Sequence, residues 1–261
     1  MKVAAFGFST IDVYEDLGLH YATGNGIDCI IQLARRGIAT SAVTVVGDDE
    51  YGREMIGTLN SFSINTDHVQ IRSGSTSIFK MGLKNGNDRV HLENIPGVMA
   101  DYTPTREDIL FVKKHEYVHM DLTGHVLYLM PELKASGCKI IMDYSVQKNE
   151  QTLTATLPFV DYAFFSYGKK DSFVRDFLIY TKGLGPRSII ATFGPEGSMA
   201  YDGNSFYSHG IMDVPVINTV GAGDAFIAGF MYGVMQNNGI ESCMHSGTKF
   251  SAEVIQKFNP Y

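Results

Sequence analysis

Short apolar runs alternate with helix-period segments along almost the whole chain, and this alternation restricts the fold more than any other feature. "VAAFGF" (3–8), "SAVTVVG" (41–47), "EYVHMD" (116–121), "CKIIMDY" (138–144), "VDYAFFS" (160–166) and "RSIIATF" (187–193) read as buried strands. Between them, "GNGIDCIIQLARRG" and "EYGREMIGTLNSF" carry apolar side chains at helical spacing, with Asn25 as a candidate N-cap and Gly37 as a stop. Further helical segments are expected near 127–136, 150–157 and 169–182. Strands that alternate with helices form a parallel sheet covered on both faces. "GSMAYDGNSFYSHG" reads as a hairpin turning near Asp202-Gly203, followed by helices over about 223–237 and 240–257.

One region breaks the pattern. "STSIFKMGL" and "DRVHLEN" flank Asn85-Gly86, a strong hairpin signal, so residues 74–94 read as a sheet appendage; the segment 10–22 is expected to add lid strands to it. With 261 residues and 44% hydrophobic content, the chain suits a single large α/β domain spanning 1–261. The formal charge of −7 argues against nonspecific nucleic-acid binding, which needs Lys and Arg to neutralise phosphates. No apolar stretch approaches the roughly 20 residues of a membrane helix, and the opening run is too short for a signal peptide. Cys29, Cys138 and Cys243 form no CxxC pair and read as small buried residues, in keeping with a cytoplasmic setting.

The chemistry concentrates in "TVGAGDAF" (219–226). Phe226, Ile227, Phe230, Met231, Val234 and Met235 share an apolar stripe, so Gly221, Ala222 and Gly223 stand at a helix N-terminus. The backbone N–H groups there lack intrahelical acceptors, and small residues let an anion approach them. This arrangement suits a phosphate. Asp224 would then project beside that phosphate, and the two repel unless the carboxylate has a task. Taking the proton of an attacking hydroxyl is such a task.

The flanking sequence extends this reading. "NTVGAGDAFIAGF" resembles the second signature of the PfkB carbohydrate kinases, a ribokinase-like family in which the last Asp of Asp-Thr-x-Gly-Ala-Gly-Asp is the base. "TFGPEG" (192–197) resembles the family's nucleotide-phosphate loop, "VVGDDEYG" (45–52) its VGDDxxG segment, and "TGNGIDCIIQLARRG" stands at the place of its first signature. These pieces occur in the family's order across nearly the whole chain. The resemblance implies a ribokinase-like three-layer α/β/α fold with a mostly parallel sheet and a small β lid, and ATP-dependent phosphorylation of a sugar with Mg2+. It assigns Asp224 as base, with the amides of Gly221, Ala222 and Gly223 on the transferring phosphoryl. It puts Thr192, Gly194, Gly197, Thr219 and Ser166 on the nucleotide, and Asp12, Gly24, Asn25 and Asp28 on the sugar. No protein-held metal site is assigned; His119, Asp121 and His125 were weighed as metal ligands and lack a clear further partner.

Several positions depart from the family pattern. Thr23 replaces a glycine, Asp28 an asparagine, and Asn218 the aspartate before the anion hole. The last change weakens any expectation of a potassium requirement. The usual Asn-x-x-Glu segment is missing, and "SYGKK" stands there, with Lys169 as a candidate replacement charge. "NGNDRVHLENIPGVMADYTPTREDI" and "VHMDLTGH" are similar to stretches of the fructoselysine 6-kinase branch, which implies transfer to the 6-hydroxyl of fructoselysine. Asp28 or Glu93 would meet the substrate ammonium and Arg89 its carboxylate, with His119 and His125 as candidate pocket residues. Another small sugar or nucleoside as acceptor, and a non-catalytic sugar- or nucleotide-binding regulator, are the competing expectations. A homodimer through the lid is expected from the family's habit.

Overall fold

A computed structural model of the chain describes residues 1–84 and 88–261. The expected Asn85-Gly86 turn lies outside the described residues, and so does the side chain of Arg89. The main sheet has nine strands: β1 (Lys2–Phe6), β4 (Ala39–Gly47), β5 (Asn65–Arg72), β8 (Tyr117–Asp121), β9 (Lys139–Asp143), β10 (Tyr162–Ser166), β11 (Ser188–Thr192), β12 (Ser198–Tyr201) and β13 (Phe206–His209). Their order is β13-β12-β11-β10-β9-β8-β1-β4-β5. Neighbours from β11 to β5 run parallel, and β12 and β13 form the antiparallel hairpin at one edge.

Two apolar layers cover the sheet, and the strand period of two explains both. Along β9, Ile141 joins one layer while Ile140 and Met142 join the other. The first layer is built with α1 (Asn25–Ala34), α2 (Glu50–Ser61), α7 (Ala222–Met235) and α8 (Ile240–Val254). The second uses α3 (Arg106–Val112), α4 (Met130–Ala135), α5 (Glu150–Thr156) and α6 (Ser172–Gly183). In α1, Ile27, Ile30, Ile31 and Leu33 are no more than 1% exposed. Each such burial contributes about 1.5–3 kcal/mol, far more than any capping contact at the helix start. That start differs from expectation: Gly24 is the N-cap and Asn25 is the first helical residue, which releases the Asn25 side chain for another role.

A second sheet, ordered β3-β2-β6-β7, pairs β2 (Thr10–Tyr14) and β3 (Leu19–Thr23) with β6 (Ile78–Lys84) and β7 (Asp88–Ile95). It sits where the chain leaves β1. From β1 the main sheet grows one way through β4 and β5, then the other way from β8 onward. Strand order reverses there, and a crevice opens beyond the carboxyl ends of the strands.

Two elements escaped sequence reading. β5 is a half-buried edge strand whose polar sequence hides its period, and α3 is short, started by a capping box between Thr105 and Asp108. α6 begins at Ser172 with Asp171 as its cap, so Lys169 lies in an exposed loop before the helix rather than within it.

Candidate active site

Two cavities meet at the start of α7. The first, of about 240 Å³, lies in the crevice between the main sheet and the small one. Asp12 reaches it from β2, Thr23 and Gly24 from the end of β3, Asn25 and Asp28 from α1, and Asp224 from α7. The expected sugar residues with described side chains therefore come together, and the expected base joins them. Phe79, His91, Asp121, Thr123, Asp143 and Ser145 complete the wall and were not expected there. Asp121 and Asp143 carried a readable signal, since each ends a strand at the carboxyl edge of the sheet.

Local hydrogen bonds orient these groups. Thr23 Oγ1 donates to Asp28 Oδ2 at 2.6 Å, so two of the departures from the family pattern meet in one bond. Asn25 Nδ2 donates to Asp143 Oδ2 at 2.6 Å, and the Ser145 N–H to Asp143 Oδ1 at 2.8 Å. Asp121 Oδ1 accepts the Thr123 and Gly124 N–H groups at 2.7 and 3.1 Å. Burial nevertheless pushes the Asp121 carboxyl up to about 7, with the Asp143 charge adding to the rise. The Cys29 thiol beneath them is driven up by burial and then by the fields of Asp224, Asp28 and Asp143, which makes it inert as a nucleophile.

The cavity is acidic throughout. Asp12, Asp28, Asp121, Asp143 and Asp224 all line it, each at most 8% exposed, and no Lys or Arg appears among its described lining residues.

The second cavity, of about 400 Å³, is lined by Thr192, Gly194, Gly197, Thr219, Ala222 and Gly223. Ile211, Met212, Val214, Val216 and Ile255 add an apolar wall that the sequence did not announce. That wall is part of an irregular segment after β13, with no helix or strand period to flag it. Ser166 lines neither cavity; it ends β10 in register with Thr192.

Between the cavities, Gly221 caps α7 at φ 71°, and a Cβ there would fall 2.7 Å from the Pro260 carbonyl oxygen. Gly221 is thus required by conformation and by space. A Cβ at Gly223 would meet nothing within 4 Å, so bareness there leaves the approach to the backbone open. The Ala222 N–H already reaches the Thr219 carbonyl at 3.3 Å. Asp224 faces the first cavity, while Ala222 and Gly223, in the same helical turn, face the second.

Other expected residues lie elsewhere. His119 is fully buried against Gly26, and burial lowers its pKa to about 4; it lines neither cavity. His125 is exposed at φ 57° and likewise lines neither. Glu93 is exposed and pairs with Lys80 at 3.0 Å. Among the described residues, no group of three or more His, Cys, Asp or Glu side chains is placed to hold a metal ion. No described helix is long and apolar enough to cross a membrane.

The "VVGDDEYG" segment does architectural work. Asp49 caps α2 through the Gly52 N–H at 2.9 Å and accepts the Thr76 N–H and hydroxyl at 2.9 and 2.5 Å. It thereby ties the entry to the small sheet onto the main body.

Residues 15–261 match the pfkB family carbohydrate kinase. The fructoselysine 6-kinase of Escherichia coli (strain K12) is 32% identical over 254 residues, 97% of each chain. The fructosamine kinase FrlD of Bacillus subtilis (strain 168) is 26% identical over 235 residues, 88% of this chain and 82% of that one. Arabidopsis thaliana ribokinase, solved with ribose and ATP, shares the fold at TM-score 0.81 and 16% identity, over 99% of this chain and 93% of its own. Salmonella enterica aminoimidazole riboside kinase, solved with aminoimidazole riboside and an ATP analog, shares it at TM-score 0.82 and 14% identity, over 100% and 95%. With a ribokinase fold throughout and a family match over nearly its full length, the chain belongs to the pfkB family of carbohydrate kinases, as an ATP-dependent sugar kinase.

Proposed function

We propose that this kinase transfers the γ-phosphoryl group of ATP to the 6-hydroxyl of fructoselysine or a related fructosamine. The observation that supports the reading best is the similarity to the fructoselysine 6-kinase of Escherichia coli, 32% identical over 97% of the chain. A fructosamine brings a secondary ammonium, a donor that the carboxylates lining the cavity suit as acceptors.

In this reading Asp224 accepts the proton of the 6-hydroxyl as its oxygen attacks the γ-phosphorus. The bond from that phosphorus to the β–γ bridging oxygen breaks, and ADP leaves. The amides of Gly221 and Gly223 would face the charge that develops on the transferring group, and the Ala222 N–H would join them by giving up its 3.3 Å bond to the Thr219 carbonyl. Asp12, Gly24, Asn25 and Asp28 hold the sugar hydroxyls, with Asn25 oriented by its bond to Asp143. Thr192, Gly194, Gly197 and Thr219 hold the nucleotide, and Ser166 supports Thr192 from the neighbouring strand. Arg89 remains the candidate partner for the amino-acid carboxylate. Mg2+ would ride on the triphosphate, whose oxygens and water fill its shell. In the dimer we propose, the edge strands β3 and β7 of the small sheet pair with a second copy, covering exposed Leu19 and Leu92.

The test is an ADP-release assay with magnesium ATP, comparing fructoselysine, fructose, ribose and a nucleoside at equal concentration. Highest kcat/KM on fructoselysine supports the reading. Highest kcat/KM on a neutral sugar overturns the fructosamine reading, and nucleotide and sugar binding without turnover favours a regulator.

A further inference from the structure

The segment that follows α8 touches both ends of the reaction centre. On β2, Asp12 lines the acceptor cavity, and its cross-strand partner in β3 is Tyr21. Tyr14 lies two residues along β2. The Phe258 ring packs against both tyrosines, edge-on to Tyr14 with centroids 5.3 Å apart, and tilted against Tyr21 at 6.0 Å. Its backbone faces the other way. The Phe258 carbonyl accepts Asn218 Nδ2 at 2.9 Å, and Asn218 Oδ1 accepts the Val220 N–H at 3.1 Å, one residue before the α7 cap. Pro260, two residues on, packs directly on Gly221.

We infer that Phe258 and Asn218 are positioning residues that couple the two substrates: the Phe258–Pro260 segment sets the anion-hole loop according to where the Asp12 strand sits. This inference rests on the functional reading above. Asp12 stands on the small sheet and lines the acceptor cavity, so acceptor contacts there bear on the position of its strand. The aromatic contacts pass that bias to Phe258. One rigid peptide then passes it to Asn218, whose fully buried amide has a single well-bonded arrangement. Edge-on aromatic pairs attract beyond their burial, which lets the ring contacts bias the loop.

The coupling is measurable without catalysis. A non-hydrolysable ATP analogue is titrated by calorimetry with and without saturating fructoselysine. In the wild type, fructoselysine should tighten the analogue by about 5- to 100-fold, the usual range of intersite coupling. Phe258→Leu keeps most of the volume and removes the ring edges. It should bring the factor to about 1 while the analogue alone binds within about twofold of wild type. Phe258→Tyr should restore it, and Tyr21→Leu should reduce it from the opposite side. A leucine variant that only melts earlier and keeps the full factor overturns the inference and leaves Phe258 a packing residue. A wild type that binds both ligands with no mutual tightening overturns it too, while the functional reading stands. A wild type that binds the analogue but no fructoselysine removes the functional reading and this inference together.

Discussion

Asp121 and Asp143 end neighbouring parallel strands in direct register, and both residues line the acceptor cavity. Burial disfavours ionising Asp121, and the Asp143 charge beside it adds to that cost. A proton held on Asp121 relieves it.

That proton has a pH signature. Burial, reinforced by Asp143, raises the Asp121 pKa to about 7 from the ordinary 3.8. Between these values the folded chain holds a proton that the unfolded chain has lost. Wild-type stability therefore falls as pH rises through that window and levels above it. Asn at this position has no such slope. Relative to wild type, Asp121→Asn should gain ~1–3 kcal/mol between pH 5 and pH 8 in urea unfolding. Parallel profiles for the two proteins would mean that Asp121 ionises freely. The same variant should raise KM for fructoselysine more than for fructose.

Asp224 should separate binding from chemistry. It is 8% exposed, lines the first cavity, and shares the first turn of α7 with Ala222 and Gly223, which line the second. Asp224→Asn keeps the shape and removes the proton acceptor. The expected result is a kcat loss of about 10²- to 10⁴-fold, with acceptor affinity by calorimetry changed only a few-fold. A variant with wild-type kcat would remove Asp224 as the base.

The fold was legible because each βα unit carries its own period, and buried parallel strands read as apolar runs. The glycine turn before α7 was legible because the left-handed backbone at its Gly221 cap is a local requirement. The rest depends on tertiary context. The Asp121–Asp143 pair is created by register between strands 22 residues apart in sequence, counted from the two positions themselves. The apolar nucleotide wall from Ile211 to Val216 has no period at all. Asn25 reads locally as a helix cap, yet Gly24 takes that place and Asn25 serves Asp143. His119 and His125 lie near strand and loop ends in sequence, but one turns into the core and the other into solvent.

Asp49 should matter for stability rather than turnover. Burial alone would raise its pKa, but the donors from Thr76 and Gly52 outweigh that and hold it below 3.8. Its contribution is present above the ordinary carboxylate range and is lost as pH falls through the depressed value. Asp49→Ala leaves the Thr76 and Gly52 donors without their acceptor and should cost ~1–2 kcal/mol at pH 7. The deficit should shrink towards pH 3 in thermal unfolding, and kcat per folded molecule should change little. An undiminished deficit at low pH would assign the loss to packing.

Asn218 should make turnover indifferent to the monovalent cation. The side chain is fully buried, and its two polar atoms have opposite tasks: Nδ2 donates to the Phe258 carbonyl and Oδ1 accepts from Val220. An aspartate would keep the second bond but set a carboxylate oxygen against the carbonyl, an arrangement that calls for a cation between them. The amide supplies that positive end itself. Replacing potassium by tetramethylammonium at constant ionic strength should leave wild-type kcat within about twofold, well under the effect of one lost buried hydrogen bond. Asn218→Asp should lose about tenfold or more without potassium and recover part of it when potassium is added. A wild type that stalls in tetramethylammonium would show that the loop needs a cation despite its amide.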